Sequence, residues 1–131
     1  MQDENKILLG NWLNKSDTAL DDTKKNIEIN SLETAQNRLY YAIFYAVSAL
    51  AKSEGFITAK HGQLLGWFNQ NYVNTNKIDK NIAKIYRLSF ENRQKSDYTF
   101  FYIPKKEKLE QDVLEASIFI AEIKKILTEK S

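Results

Sequence analysis

The segment from residue 31 to residue 53 constrains the fold most, because it would be apolar on most sides if it were helical. Two neighbouring helical rows carry its large apolar side chains: Leu39, Ile43 and Leu50 in one, and Tyr40, Phe44 and Val47 in the other. Small residues at 35, 42, 46 and 49 would let other helices approach closely. The pattern predicts the central helix of a bundle.

Four further segments have apolar residues spaced alternately three and four apart, which is typical of amphipathic helices. They cover residues 3–28, 59–73, 78–96 and 104–130. We expect Asn30 to cap the central helix and Gly55 to end it. With only 4 Gly and 1 Pro in 131 residues, the sequence favours long helices. The prediction is an all-α, up-and-down bundle of about five helices, forming a single domain over residues 1–131.

Composition excludes several kinds of site. The sequence has no Cys and one His, so it can form no disulfide and offers no set of metal ligands at suitable spacing. No cofactor motif is present, and we predict neither a metal nor a cofactor. No apolar run approaches the roughly 20 residues of a membrane helix, and the polar start is unlike a signal peptide. We expect a cytoplasmic protein that does not bind membranes, whose net charge of +2 permits contact with nucleic acid but does not by itself indicate it.

A group of charged residues continues an apolar row of the fourth helix. Arg93 and Asp97 follow Tyr86 and Phe90 along that row, so their side chains should point inward or into a groove. A buried charge must be paired. Arg38, on the central helix, is the expected further partner of Arg93 and Asp97.

These residues predict a polar cluster in which Arg38, Arg93 and Asp97 meet. Three aromatic residues would surround it: Tyr41, Tyr45 and Tyr98. Two guanidinium groups oriented by a carboxylate can bind a phosphate of RNA or of a nucleotide. The alternative is a buried ion-pair network that only fixes the register of the helices.

His61 is the only His and lies near the start of the third helix, after Lys60. A lone His is more often a surface or cap residue than a catalyst. We therefore expect His61, like Tyr41 and Tyr45, to have a supporting role at the polar cluster.

Several short motifs resemble those of small stand-alone HEPN-domain proteins. Residues 38–42 match R-x-Y-Y-A, Lys60 and His61 match K-H, and residues 93–98 match R-x-x-x-D-Y. The motifs occur in order at compatible spacing, and the similarity extends from the first helix to the fifth.

The resemblance implies a helical bundle that forms a homodimer. It also implies pairing with a minimal nucleotidyltransferase in toxin–antitoxin or defence operons. Many HEPN proteins are metal-independent ribonucleases with an R-x(4–6)-H motif, in which Arg holds the phosphate and His acts in acid–base chemistry on the 2′-hydroxyl. Here Arg93 matches the Arg, but Asp97 and Tyr98 lie where the His is expected.

Three hypotheses follow from the motifs and the resemblance. In the first, Arg93 and Arg38 bind phosphate, Asp97 orients them and Tyr98 hydrogen-bonds the ligand, so that Arg93, Asp97 and Tyr98 are the catalytic positions of a ribonuclease. In the second, the cluster is structural and the protein is a non-catalytic module that binds a nucleotidyltransferase. In the third, that partner modifies Tyr98.

Overall fold

The computed structural model describes residues 3–98 and 103–130, and the side chains of residues 3, 96–98 and 130 lie outside this description. The described residues form helices and no strand, which confirms the all-α bundle. In chain order the helices are α1 (Asp3–Glu28), α2 (Leu32–Ser53), α3 (His61–Phe68), a π-helical turn (Asn69–Val73), α4 (Lys80–Tyr98) and α5 (Lys106–Lys130).

Helix α2 lies at the centre of the bundle, as its apolar pattern predicts, and packs against α1, α3, α4 and α5. Its small residues are fully buried: Ala35, Ala42, Ala46 and Ala49. At the close approach of α1, the hydroxyl of Ser16 donates a 2.6 Å hydrogen bond to the carbonyl of Ala42. A polar side chain is thereby accommodated in a tightly packed helix pair without an unsatisfied group.

The predicted cap at Asn30 is wrong, whereas the predicted stop at Gly55 is confirmed. Asn30 has a φ of 59° and ends α1: its N–H bonds the Ile27 carbonyl, and the N–H of Ser31 bonds the Asn26 carbonyl. This pattern is a Schellman motif with Asn in the left-handed position. Gly55, with a φ of 80°, ends α2 by the same pair of hydrogen bonds.

The third predicted helix is divided into two parts in the structure. It is α-helical from His61 to Phe68 and continues as the π-helical turn Asn69–Val73. The wider turn accompanies the burial of Tyr72, whose ring stacks on Phe68 with centroids 5.7 Å apart. None of the helices in the described ranges has the length and apolar character needed to cross a bilayer.

Candidate functional site

His61 is the first residue of α3 and lies against one face of α2. Its imidazole stacks on Phe44 with centroids 4.3 Å apart and on Tyr40 at 5.6 Å, and it meets the edge of Tyr41 at 5.8 Å. The chain between α2 and α3 is ordered just before His61 by Thr58, whose hydroxyl accepts a hydrogen bond from the Lys60 N–H. His61 is therefore held in an aromatic setting on the central helix.

Two donors converge on one nitrogen of His61. The Tyr40 hydroxyl lies 2.8 Å from Nδ1, and the Nη1 of Arg93 lies 3.4 Å from the same atom. A guanidinium can only donate, so Nδ1 accepts and the ring proton is assigned to Nε2. Burial, followed by the neighbouring Arg93 charge, lowers the pKa of His61 below its ordinary value of 6.5. Both observations indicate a neutral imidazole near pH 7.

Arg93 reaches this site from α4. Its guanidinium carbon lies 5.1 Å from the ring centroid of Tyr40 and 5.5 Å from that of Tyr41. Helix α4 is fixed beside α2 by the buried Gln36, whose amide donates a 2.9 Å hydrogen bond to the Asn92 carbonyl. Stacking on aromatic faces suits a planar guanidinium.

Tyr40 is the site residue that the sequence reasoning missed, since it treated this position as core. The ring is fully buried, and burial raises the pKa of the phenol, so Tyr40 stays protonated. A buried tyrosine hydroxyl usually finds a polar partner. That rule was the available signal, but the partner is 21 residues away, and its position depends on the path between α2 and α3.

Arg38 contacts the same aromatic group. Its guanidinium carbon lies 5.8 Å from the ring centroid of Tyr41, the ring that Arg93 also covers. Its Nε also lies 3.9 Å from a carboxylate oxygen of Asp22 on α1, which the sequence analysis did not anticipate. The structure thus brings Arg38 and Arg93 to one ring.

Tyr45 lies on the α1 side of this group. Its ring is 5.7 Å from that of Tyr41 and 5.8 Å from that of Trp12. The Lys15 ammonium is 5.7 Å from the Tyr45 centroid. Tyr45 thus links the aromatic group to α1 and makes no described contact with His61.

The side chains of Asp97 and Tyr98 lie outside the described residues, so their roles stay predictions. The described group of Arg93, Arg38, His61, Tyr40 and Tyr41 combines two fixed cations, a neutral imidazole and a protonated phenol. Arg93 and His61 are both partly exposed, so a ligand can reach them. Such a set can bind an anion and transfer a proton. Among the described side chains no group of three or more His, Cys, Asp or Glu could hold a metal ion.

The chain is similar to known proteins over most of its length. Residues 9–127 match the family described as HEPN domain. A "UPF0332 protein" of Thermotoga maritima is 33% identical over 124 residues, covering 95% of this chain and 94% of that protein. "Putative toxin MJ0142" of Methanocaldococcus jannaschii is 27% identical, covering 91% of this chain and 81% of its own. "Putative toxin MJ0605" of the same organism is 35% identical over 92 residues, covering 70% of this chain and 68% of that protein.

Proposed function

Since this chain belongs to the HEPN domain family, we propose that it is a toxin-type HEPN protein that binds a phosphate of RNA at Arg93 and cleaves the RNA without a metal ion. The names of the two archaeal relatives support the toxin role. The family motif lacks its His in this sequence, and the proposal is that His61 takes that place from another helix.

The observation that carries the proposal is the 3.4 Å approach of Arg93 Nη1 to His61 Nδ1. An Arg beside a His can combine phosphate binding with proton transfer. They are 32 residues apart in the sequence and meet because α3 and α4 both pack on α2. The lowered pKa of His61 keeps the imidazole neutral at pH 7, which is the form that can accept a proton.

The proposed reaction begins when Arg93 turns from His61 to a phosphate oxygen, with Arg38 as the second cation. The imidazole proton then exchanges through water from Nε2 to Nδ1, where the N–H donates a hydrogen bond to the Tyr40 hydroxyl oxygen. Nε2 takes the proton of the 2′-hydroxyl, and the 2′-oxygen attacks the adjacent phosphorus. The bond from phosphorus to the 5′-oxygen breaks, and that oxygen takes a proton from a water molecule. The hydroxide left behind takes the proton from Nε2, which returns His61 to its neutral form. The products are a 2′,3′-cyclic phosphate and a 5′-hydroxyl.

Asp97 and Tyr98 keep their sequence-based roles in this proposal. Asp97 orients the guanidinium groups and Tyr98 hydrogen-bonds the ligand. We further propose a homodimer that works with a minimal nucleotidyltransferase, for which Tyr98 is the candidate target. A mass increase of one nucleotide per chain on co-expression, absent in Tyr98→Phe, would support that part.

The ribonuclease proposal is tested with a short fluorogenic RNA in excess EDTA. We expect Arg93→Ala and His61→Ala each to lower the cleavage rate at least about 100-fold, as loss of an acid–base or charge-stabilising group does. Arg87→Ala is the matched control, because Arg87 lies on the exposed face of the same helix and pairs with Glu91.

Two results would overturn this proposal. One is cleavage that EDTA abolishes or that Arg93→Ala leaves unchanged. The other is equal cleavage of a substrate with a 2′-deoxyribose at the cut site, because the mechanism needs the 2′-hydroxyl as nucleophile. Folding of each variant is checked by circular dichroism and thermal unfolding.

A second candidate function is that of a non-catalytic module that binds a nucleotidyltransferase. The observation that favours it is on α5, where Leu114 and Ile118 are one turn apart and 61% and 55% exposed. Contiguous exposed apolar side chains can form part of a protein-binding surface. This function would be favoured by two results together. The pure protein would cleave no RNA with or without metal ions, and Leu114→Ser and Ile118→Ser would weaken its complex with the nucleotidyltransferase.

A further inference from the structure

A cavity lined in part by aromatic residues adjoins the surroundings of His61. Its volume is about 380 Å³, near the lower end of the range of roughly 300–1,000 Å³ for small-ligand pockets. We call it the Trp12 pocket, and its main lining residues are Trp12, Phe44, Ser48, Phe56, Ile57 and Leu64. It opens between α2 and the chain segment that leads to α3.

Phe44 is common to the Trp12 pocket and to the candidate site. It lines the pocket, and its ring also stacks on His61 at 4.3 Å with an interplanar angle of 16°. A single aromatic ring therefore separates the pocket from the imidazole. The pocket is therefore next to the candidate site and shares one side chain with it.

The chemistry of the pocket suits a flat, polar-edged ring. Trp12 and Phe56 contribute aromatic rings to the lining, while Ser48 and Lys52 are its polar residues. The Lys15 ammonium lies 5.1 Å from the Trp12 centroid and adds positive charge nearby. Aromatic faces together with cations are how proteins bind single nucleotides of RNA, because every base has a face that can stack.

We propose that the Trp12 pocket holds the nucleobase of the nucleotide whose phosphate is bound at Arg93. This inference rests on the proposed function, since it needs a phosphate at that position. The ligand chemistry is a base joined through ribose to phosphate, which a free nucleotide and an RNA chain share. The pocket would then give the phosphate site its preference for nucleotides over other phosphates.

The test compares three probes by NMR-detected titration: adenosine monophosphate, a non-cleavable 2′-fluoro RNA tetranucleotide, and ribose 5-phosphate, which lacks a base. We expect one or both base-containing probes to bind about 10-fold or more tightly than ribose 5-phosphate. The probe whose affinity falls in the pocket variants below identifies the source of the base.

Three variants locate the effect. Ser48→Phe fills the pocket and should remove the preference for a base while leaving the affinity for ribose 5-phosphate unchanged. Ile57→Ala removes part of a wall and should reduce the preference several-fold. Ile29→Ala is the matched control, since Ile29 is 73% exposed and Ile57 72%, and Ile29 lies outside the pocket. The Ile57 and Ile29 pair keeps the test decisive if Ser48→Phe does not fold.

Arg93→Ala separates this proposal from the proposed function. If ribose 5-phosphate binds equally well to wild type and to Arg93→Ala, the proposal that Arg93 binds phosphate is overturned, and the pocket proposal with it. If its binding depends on Arg93 but the base-containing probes bind no more tightly, only the pocket proposal is overturned. An equal loss of preference in Ile57→Ala and Ile29→Ala would also overturn it.

Discussion

At the scale of single residues, the chemistry of the site depends on which atom of His61 carries the proton. The Tyr40 hydroxyl can donate or accept at Nδ1, but Arg93 can only donate there. Protonating that nitrogen would therefore set two donors and two positive charges against each other. The protein thereby penalises the imidazolium form, in addition to the cost of partial burial. The contact between Arg93 and Nδ1 thus favours the neutral imidazole.

We expect the measured pKa of His61 to lie below 6.5 and to rise toward 6.5 in Arg93→Gln, because this substitution removes the neighbouring positive charge. His61 is the only His in the sequence, so its ring C–H resonances can be followed by NMR without assignment of other histidines. Arg87→Gln, on the exposed face of the same helix, should leave the value unchanged. An equal shift in both variants would show that Arg93 has no special role.

The sequence predicted part of this site and could not have predicted the rest. Arg93 and Arg38 were identified because charges that continue an apolar row need partners, and the structure brings both to Tyr41. The contact of His61 with Tyr40 depends on where residues 54–60 return the chain. That path is set by tertiary packing, which no local periodicity encodes.

At the scale of the helices, periodicity located the five helices well because each buries one continuous stripe or, in α2, most of its surface. The signals at helix ends were less certain. Asn is favoured both as an N-cap and in the left-handed position that ends a helix. Asn30 lies between two helices, so its sequence position fits both roles. In the structure it takes the left-handed position that ends α1.

Two glycines allow the effect of backbone conformation on stability to be tested, one at the end of α2 and one inside α3. We expect Gly55→Ala to lower the free energy of unfolding by about 1 kcal/mol, because a φ of 80° is strained for a residue with a Cβ. Gly66→Ala, inside α3, should raise it by about 0.5–1 kcal/mol, because alanine favours helix. A Cβ at either position meets no atom within 4 Å, so backbone conformation alone should decide the sign. Urea unfolding measures both, and destabilisation by Gly66→Ala would contradict this account.

At the scale of the whole molecule, the core and the site are built on the same helix. Leu39 and Ile43 of α2 are buried in the core, while Tyr40, Tyr41 and Phe44, which share that helix, form the setting of His61 and Arg93. The site exists only when α3 and α4 are docked on α2. Its protonation state must therefore contribute to the stability of the bundle as a whole.

The pH dependence of unfolding measures that contribution. Because the pKa of His61 is lower in the folded protein than the ordinary 6.5, the unfolded chain binds more protons as the pH falls below about 6.5. The stabilising contribution of neutral His61 is thus fully present above 6.5 and is lost as the pH falls from there through the folded-state pKa.

We expect the difference in free energy of unfolding between wild type and His61→Gln to shrink from pH 7.5 to pH 5.5, by at most about 1.4 kcal/mol per pH unit. Urea unfolding of both proteins in matched buffers gives this difference, in which the contributions of carboxylates common to both cancel. A difference that stays constant or grows as the pH falls would mean that the docked site does not hold His61 neutral. The acid–base role proposed for His61 would then lose its physical basis.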